Sequence, residues 1–163
     1  MRPAIEAVIK NCKENVIGAE VGVYEGGHAK ALLQHPNIKK LYLIDICEFK
    51  SLRKNIAPFL NKINLMIPMS SEDASKKIAD KSLDFVYVDA DHTYDNCKKD
   101  LNLWWGKVKD GGILCGHDYS NTLYTFAKQA VDEVFPNGVN RMLENAIYNK
   151  DTEPTVFFWW KYV

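Results

Sequence analysis

Five short apolar runs, separated by segments of helical spacing, constrain this chain of 163 residues more than any single motif does. The runs are Val16–Val23, Leu41–Cys47, Ile63–Pro68, Phe85–Asp89 and Gly112–Gly116. Each is apolar almost throughout, as a strand buried on both faces is, rather than alternating like a half-exposed one. Between them, Phe49–Leu60 carries Phe49, Leu52, Ile56 and Leu60 at helical spacing. Thr93–Trp105 sets Tyr94, Cys97, Leu101, Trp104 and Trp105 on one side and Lys98, Lys99 and Asp100 on the other. Ala29–Gln34, Ser71–Ala79 and Thr122–Phe135 complete the alternation, and residues 3 to 14 read as a leading helix. Glu72 and Asp73 fall in the first turn of Ser71–Ala79, where the helix dipole favours acids. Strands alternating with helices mean βαβ units, right-handed crossovers and a parallel sheet. The end of the chain breaks the pattern. "NRMLENAIYN" and "TVFFWWKYV" read as two strands about a turn at residues 150 to 154, hence an antiparallel hairpin at one sheet edge. The neighbours Trp159 and Trp160 must then face opposite sides of their strand.

The length fits a single domain over residues 1 to 163. Lys plus Arg equals Asp plus Glu at 21 each, and the lysine pairs are scattered, so the basic footprint of a nucleic-acid binder is missing. No apolar run is long enough for a membrane span, and the first residues lack the apolar core of a signal peptide. None of the four cysteines forms a C-x-x-C pair. They read as reduced, mostly buried thiols of a cytoplasmic protein, not zinc ligands.

In an open parallel sheet, ligands bind beyond the carboxyl ends of the strands. The first run leads into "AEVGVYEGGHA", the second into Asp45, the third into Ser70 and Ser71. The fourth leads into Asp89, Asp91 and His92, and the fifth into His117, Asp118 and Tyr119. A dinucleotide site wants G-x-G-x-x-G, whose second glycine lets a pyrophosphate approach the backbone. Here Tyr24 stands at that place, which argues against a nicotinamide oxidoreductase. The pattern is instead E-x-G-x-x-x-G, made by Glu20, Gly22 and Gly26. Glu20 suits a ligand bearing an ammonium group, and Asp45 suits a ribose diol. An amino acid joined to a nucleoside without phosphates is S-adenosylmethionine.

From these residues the chain resembles a class I S-adenosylmethionine-dependent methyltransferase. More closely it resembles the family of the macrocin-type O-methyltransferases and cephalosporin-hydroxylase-like proteins. The resemblance rests on "EVGVYEGGHA", on "LIDIC" and above all on "FVYVDADHTYDNCKKDLNLWWGKVKDGGILCGHDY", and covers roughly residues 16 to 135. It implies an α/β, Rossmann-like fold: a seven-stranded, mostly parallel sheet with an antiparallel C-terminal hairpin and helices on both faces. It implies a cofactor site of Glu20, Gly22, Val23, Tyr24 and Gly26, then Asp45 and Ile46, Ser70 and Ser71, and Asp89. Glu20 and Gly22 would meet the methionine portion, Asp45 the ribose, and Ser70 and Ser71 the adenine. In metal-dependent relatives a divalent cation sits between the acids after the fourth and fifth strands. Carried over, its ligands are Asp89, His117 and Asp118, and His92 is the general base.

A hydroxyl is a poor nucleophile at neutral pH. A divalent metal lowers its pKa and a nearby His can take the proton, while catalysis otherwise rests on positioning. Oxygen ligands favour Mg²⁺, and an imidazole from His117 tilts the choice toward Mn²⁺ or Fe²⁺. Blander roles stand beside these. Asp91 reads as a cap for the helix near Thr93. Asp89 can serve backbone amides or the cofactor instead of a metal, His92 can be an exposed loop residue, and His117-Asp118 a structural turn. His28 reads as a helix cap. The expected partner is a small hydroxylated acceptor, with a homodimer as a further expectation. The alternative from another class is a non-catalytic S-adenosylmethionine-binding or adapter protein of the same fold.

Overall fold

The computed structural model describes residues 5, 6, 9, 10, 14–120, 125–143 and 156–163. The strands are β1 (Val16–Val21), β2 (Ile38–Ile44), β3 (Ile63–Met66), β4 (Leu83–Val88), β5 (Val108–Ser120), β6 (Asn140–Leu143) and β7 (Val156–Tyr162). They form one sheet in the order β3-β2-β1-β4-β5-β7-β6. The first five are parallel, and β7 runs antiparallel to both β5 and β6. The helices are α1 (Gly27–Leu33), α2 (Lys50–Ile56), α3 (Ser71–Ser75), α4 (Tyr94–Trp105) and α5 (Thr125–Val134). This is the α/β architecture that the alternation of runs requires, with the chain order reversing between β1 and β4.

Two apolar cores lie on the two faces of the sheet, because successive strand residues point to opposite sides. Leu41, Leu43, Phe85 and Tyr87 pack with α1 and α2. Ala19, Val21, Val86 and Leu114 pack with α4 and α5. Burying each large aliphatic or aromatic side chain contributes roughly 1.5–3 kcal/mol, so these layers carry the fold. Trp159 belongs to the second core and Trp160 packs against the first, as adjacent strand residues must. Ile5 and Ile9 are helical and fully buried. Residues 3, 4, 7, 8 and 11–13 of the expected leading helix, Cys12 among them, lie outside the described residues, as do residues 122–124, residues 144–149 of the expected strand and the turn at 150–154.

Several boundaries differ from the expected ones for local reasons. The segment read as one helix to Leu60 leaves the α-helix at Ile56 and continues as a 3-10 turn over Ala57–Lys62. Pro58 has no N–H and its ring crowds the preceding turn. Strand β5 runs past Gly116 through His117, Asp118 and Tyr119, pairing Tyr119 and Ser120 with Phe157 and Val156. Its register shifts between Gly116 and Tyr119, where Asp118 takes a φ of 57°. "GHDY" is therefore an irregularity inside a strand rather than a loop after one. Cys47 is exposed rather than buried. None of the described helices is long and apolar enough to cross a membrane.

Candidate functional site

The loops after β1, β2 and β4 are held against one another at the carboxyl edge of the sheet. Gly22 donates its N–H to the Ile44 carbonyl at 2.9 Å and has a φ of 88°. A Cβ there would lie 2.0 Å from the Asp89 carbonyl oxygen, so only glycine lets the two backbones meet. Gly22→Ala is expected to cost about 2–4 kcal/mol of stability, because strain and a backbone clash add. The urea midpoint reads it, and an unchanged midpoint contradicts the close approach. Asp45 takes three backbone N–H groups. Val23 and Tyr24 donate to Oδ2 at 2.9 Å each, and Cys47 donates to Oδ1 at 3.0 Å. The carboxylate thus shapes the first two loops before any ligand arrives.

These loops enclose a cavity of about 550 Å³. Of the ten residues expected to hold a cofactor, Gly22, Tyr24, Asp45, Ile46, Ser70, Ser71 and Asp89 line it. Val23, Gly26 and Glu20 do not. Val23 is buried and offers its N–H to Asp45. Gly26 makes the left-handed entry to α1 at a φ of 78°. Glu20 is 2% exposed, and its Oε1 lies 3.4 Å from His28 Nδ1. Strand alternation turns Glu20 toward the α1 face together with its neighbour Tyr87, so it is not the cavity's ammonium acceptor in this arrangement. His28 faces Glu20 and the Tyr87 ring at 4.4 Å, and does not cap α1. Tyr24 and Phe49 meet edge to face at 4.5 Å, and both line the cavity.

At the β4 and β5 end, Asp89, His92 and Asp118 each offer one ligand atom, all within 4.8 Å of one another. His92 Nε2 hydrogen-bonds Asp118 Oδ2 and lies 3.5 Å from Asp89 Oδ1. The Tyr87 hydroxyl donates to Asp89 Oδ2 at 2.9 Å, which orients that carboxylate. His117 Nδ1 sits 2.9 Å from the other oxygen of Asp118 and is not a member of the group of three. The residues brought together are thus Asp89, His92 and Asp118, where the sequence grouped Asp89, His117 and Asp118. The irregularity in β5 explains it, since it turns Asp118 under the loop that carries His92. Asp91 is not the cap expected of it: the N-cap of α4 is Thr93, and Asp91 braces the preceding turn, its Oδ1 accepting the Thr93 N–H at 2.7 Å and its Oδ2 accepting from Asn96.

The hydrogen bond to Asp118, then that to Asp89, pushes the His92 pKa from 6.5 up to about 10, against a smaller effect of burial. Burial alone would raise the Asp118 pKa, but His117 and His92 overcome it and hold the carboxyl below the usual range. Folding thus favours charged His92 and charged Asp118. The His92 contribution to stability is complete below pH 6.5 and is lost as the pH rises to about 10. The Asp118 contribution is present above 3.8 and is lost as the pH falls further. In metal-free protein the His92 imidazole is expected to stay protonated past about pH 8 in an NMR titration. An ordinary value near 6.5 would contradict the arrangement.

The far end of the cavity holds groups the sequence did not point to. Ser71 Oγ donates to Asp100 Oδ1 and accepts from Trp104 Nε1 at 2.8 Å. Asp100 is only 6% exposed, and burial raises its pKa despite the Ser71 hydrogen bond. Helical spacing assigned Asp100 to the solvated side of α4. Yet it stands three residues after Cys97 and four before Trp104, on the margin of the apolar stripe, and that spacing was the available signal. Glu72 and Lys99 also line this end, paired at 2.6 Å. Hydrogen bonds from Lys99 and Lys76 lower the Glu72 pKa to about 2.

Comparison with known proteins agrees with this fold. An uncharacterised protein of Acanthamoeba polyphaga mimivirus is 28% identical over 132 residues, which is 75% of this chain. The chain spans 59% of that protein's length. Among solved structures, the Burkholderia thailandensis 1,6-didemethyltoxoflavin N1-methyltransferase, crystallised with S-adenosylhomocysteine, matches with a TM-score of 0.69 at 8% identity. The match covers 98% of this chain and 76% of that one. A Thermotoga maritima S-adenosylmethionine-dependent O-methyltransferase matches with a TM-score of 0.64 at 13% identity, over 98% of this chain and 64% of that one. Spermidine synthase from the same organism matches with a TM-score of 0.65 at 13% identity, over 90% and 53% of the two chains. At such identities the likeness is one of fold, and the synthase shows that the fold alone does not fix the group transferred. A family model described as a methyltransferase domain matches residues 19–119, more than half of the chain and every strand that lines the cavity. The chain belongs to this methyltransferase-domain family.

Proposed function

We propose that the chain binds S-adenosylmethionine in the large cavity and transfers its methyl group to a hydroxyl of a small molecule, as the macrocin-type O-methyltransferases it resembles do. One observation carries this reading. Asp89 belongs both to the cavity lining and to the group it forms with His92 and Asp118, so the cofactor space and the ionisable cluster share a wall. The absence of a dinucleotide glycine at Tyr24 and the side chains of Asp45 and Ile46 in the cavity suit a nucleoside joined to an amino acid.

Two carboxylates and an imidazole within 4.8 Å are a donor set that fits a divalent cation, with the imidazole favouring Mn²⁺ or Fe²⁺ over Mg²⁺. Asp89, His92 and Asp118 would hold it. When bound, such a cation supplies charge that acidifies an acceptor hydroxyl and offsets the two carboxylates. The residues themselves divide the remaining work. Tyr87 fixes Asp89, and His117 fixes Asp118. His92 holds a proton in the arrangement described; as a ligand it would give up the Nε2 proton on taking the cation, so ligation through Nε2 and general-base work at Nε2 are alternatives for this one side chain.

Incubation with methyl-labelled S-adenosylmethionine and a panel of hydroxylated small molecules, with Mg²⁺ or Mn²⁺, tests the reading. Label transferred to a hydroxyl supports it. Cofactor binding without transfer to any acceptor class would favour the non-catalytic alternative.

A further inference from the structure

We infer that Asp100 reads the purine base of the cofactor, accepting a hydrogen bond from the exocyclic amine at the far end of the cavity. This rests on the proposed S-adenosylmethionine reading and extends it to a residue that the resemblance did not assign.

The argument starts from the direction of two hydrogen bonds. An indole N–H only donates, so Trp104 Nε1, 2.8 Å from Ser71 Oγ, makes that hydroxyl an acceptor. Ser71 has one proton, and it goes to Asp100 Oδ1. Both partners are therefore fixed: Ser71 has no donor left for a ligand, and Asp100 is held as an acceptor. No donor among the described residues reaches the second oxygen of Asp100, and the residue lines the cavity. Most other charged groups at this end are already engaged, and Asn96 spends its amide N–H on Asp91. Glu72 takes Lys99 and Lys76, Ser70 pairs with Asp73, and Asp91 takes Thr93 and Asn96. This oxygen opens to the cavity, so a ligand that fills the cavity and displaces water from it must supply a donor of its own or bear the cost of an unmet carboxylate.

The order of the strands says which part of the ligand arrives there. Asp89 follows β4, Asp45 follows β2, and Ser71 follows β3 at the sheet edge. A ligand with its sulfonium beside Asp89 and its ribose beside Asp45 brings its base to Ser71 and Asp100. The base of S-adenosylmethionine carries one amine donor, at the purine 6-position. A 6-oxopurine presents an acceptor there instead, and two acceptors face to face are repulsive.

Calorimetry with S-adenosylhomocysteine and S-inosylhomocysteine, its 6-oxo analogue, tests the assignment. The wild-type protein is expected to bind the 6-amino compound at least about tenfold more tightly. In Asp100→Asn the Ser71 hydroxyl still donates to Oδ1, so the side-chain amide N–H faces the cavity. The preference is then expected to fall or reverse. A purely structural role would weaken both compounds alike, and that result overturns the assignment. So does equal binding of the two by the wild type. Should the Asn variant not fold, Asp100→Ser must erase the discrimination in its place, and discrimination that survives overturns the assignment. Failure of the wild type to bind S-adenosylhomocysteine at all would overturn the cofactor reading, and this assignment with it.

Discussion

Replacing Asp89 and Asp118 together by Ala is expected to abolish divalent-cation binding and to cut methyl transfer by at least about a hundredfold. The two carboxylates supply two of the three ligand atoms grouped within 4.8 Å. His92 alone is then an ordinary imidazole near solvent. The same substitutions remove both hydrogen bonds that raise its pKa, so its titration is expected to return to about 6.5. Asp118 is also 8% exposed and hydrogen-bonded to His92, so its loss leaves that imidazolium without its nearest counter-charge, and some loss of stability accompanies the loss of function. Calorimetry with Mn²⁺ separates the two effects, since a folded variant that still binds the cation would refute the ligand set. An unshifted His92 pKa would refute the geometry independently.

The second large effect is expected at Asp45. Asp45→Ala takes away the acceptor for three backbone N–H groups, those of Val23, Tyr24 and Cys47. Only the Val23 bond is part-buried, while those of Tyr24 and Cys47 are exposed and water can replace the carboxylate there, so a loss of about 1–2 kcal/mol is expected. Affinity for S-adenosylhomocysteine is expected to fall by at least about a hundredfold, because both the ribose partner and the shape of the first loop go. Asp45→Asn tells these apart. Its amide oxygen can keep part of the N–H set while presenting a weaker acceptor. Unchanged affinity in both variants would remove Asp45 from the nucleoside site.

Much of this was legible in the sequence because burial leaves a strong mark. Strands covered on both faces need unbroken apolar runs, and the runs at Leu41, Phe85 and Gly112 locate β2, β4 and β5 directly. What a parallel sheet does with its carboxyl edge then located Asp45, Ser70, Ser71 and Asp89 at one cavity. Side-chain direction was less legible. Glu20 looked like a strand-end carboxylate for a ligand, but one step of strand alternation turns it under α1. That His92 rather than His117 joins Asp89 and Asp118 was not legible, because the register shift in β5 depends on pairing with β7, some forty residues away in sequence. Asp100 was hidden for a different reason. A charged residue beside two lysines reads as solvent-facing, and only the packing of Trp104 onto Ser71 shows that this carboxyl is buried in the cavity wall. Local pattern reports which face is apolar. It does not report which polar group a neighbouring element will cover.

A single titration bears on the central claim, that the cavity is built for S-adenosylmethionine. Calorimetry of the wild-type protein with S-adenosylhomocysteine and, separately, with NAD should show one-to-one binding of the first and none of the second. Binding of NAD with no response to S-adenosylhomocysteine would contradict the claim and return Tyr24 and the first loop to a dinucleotide role.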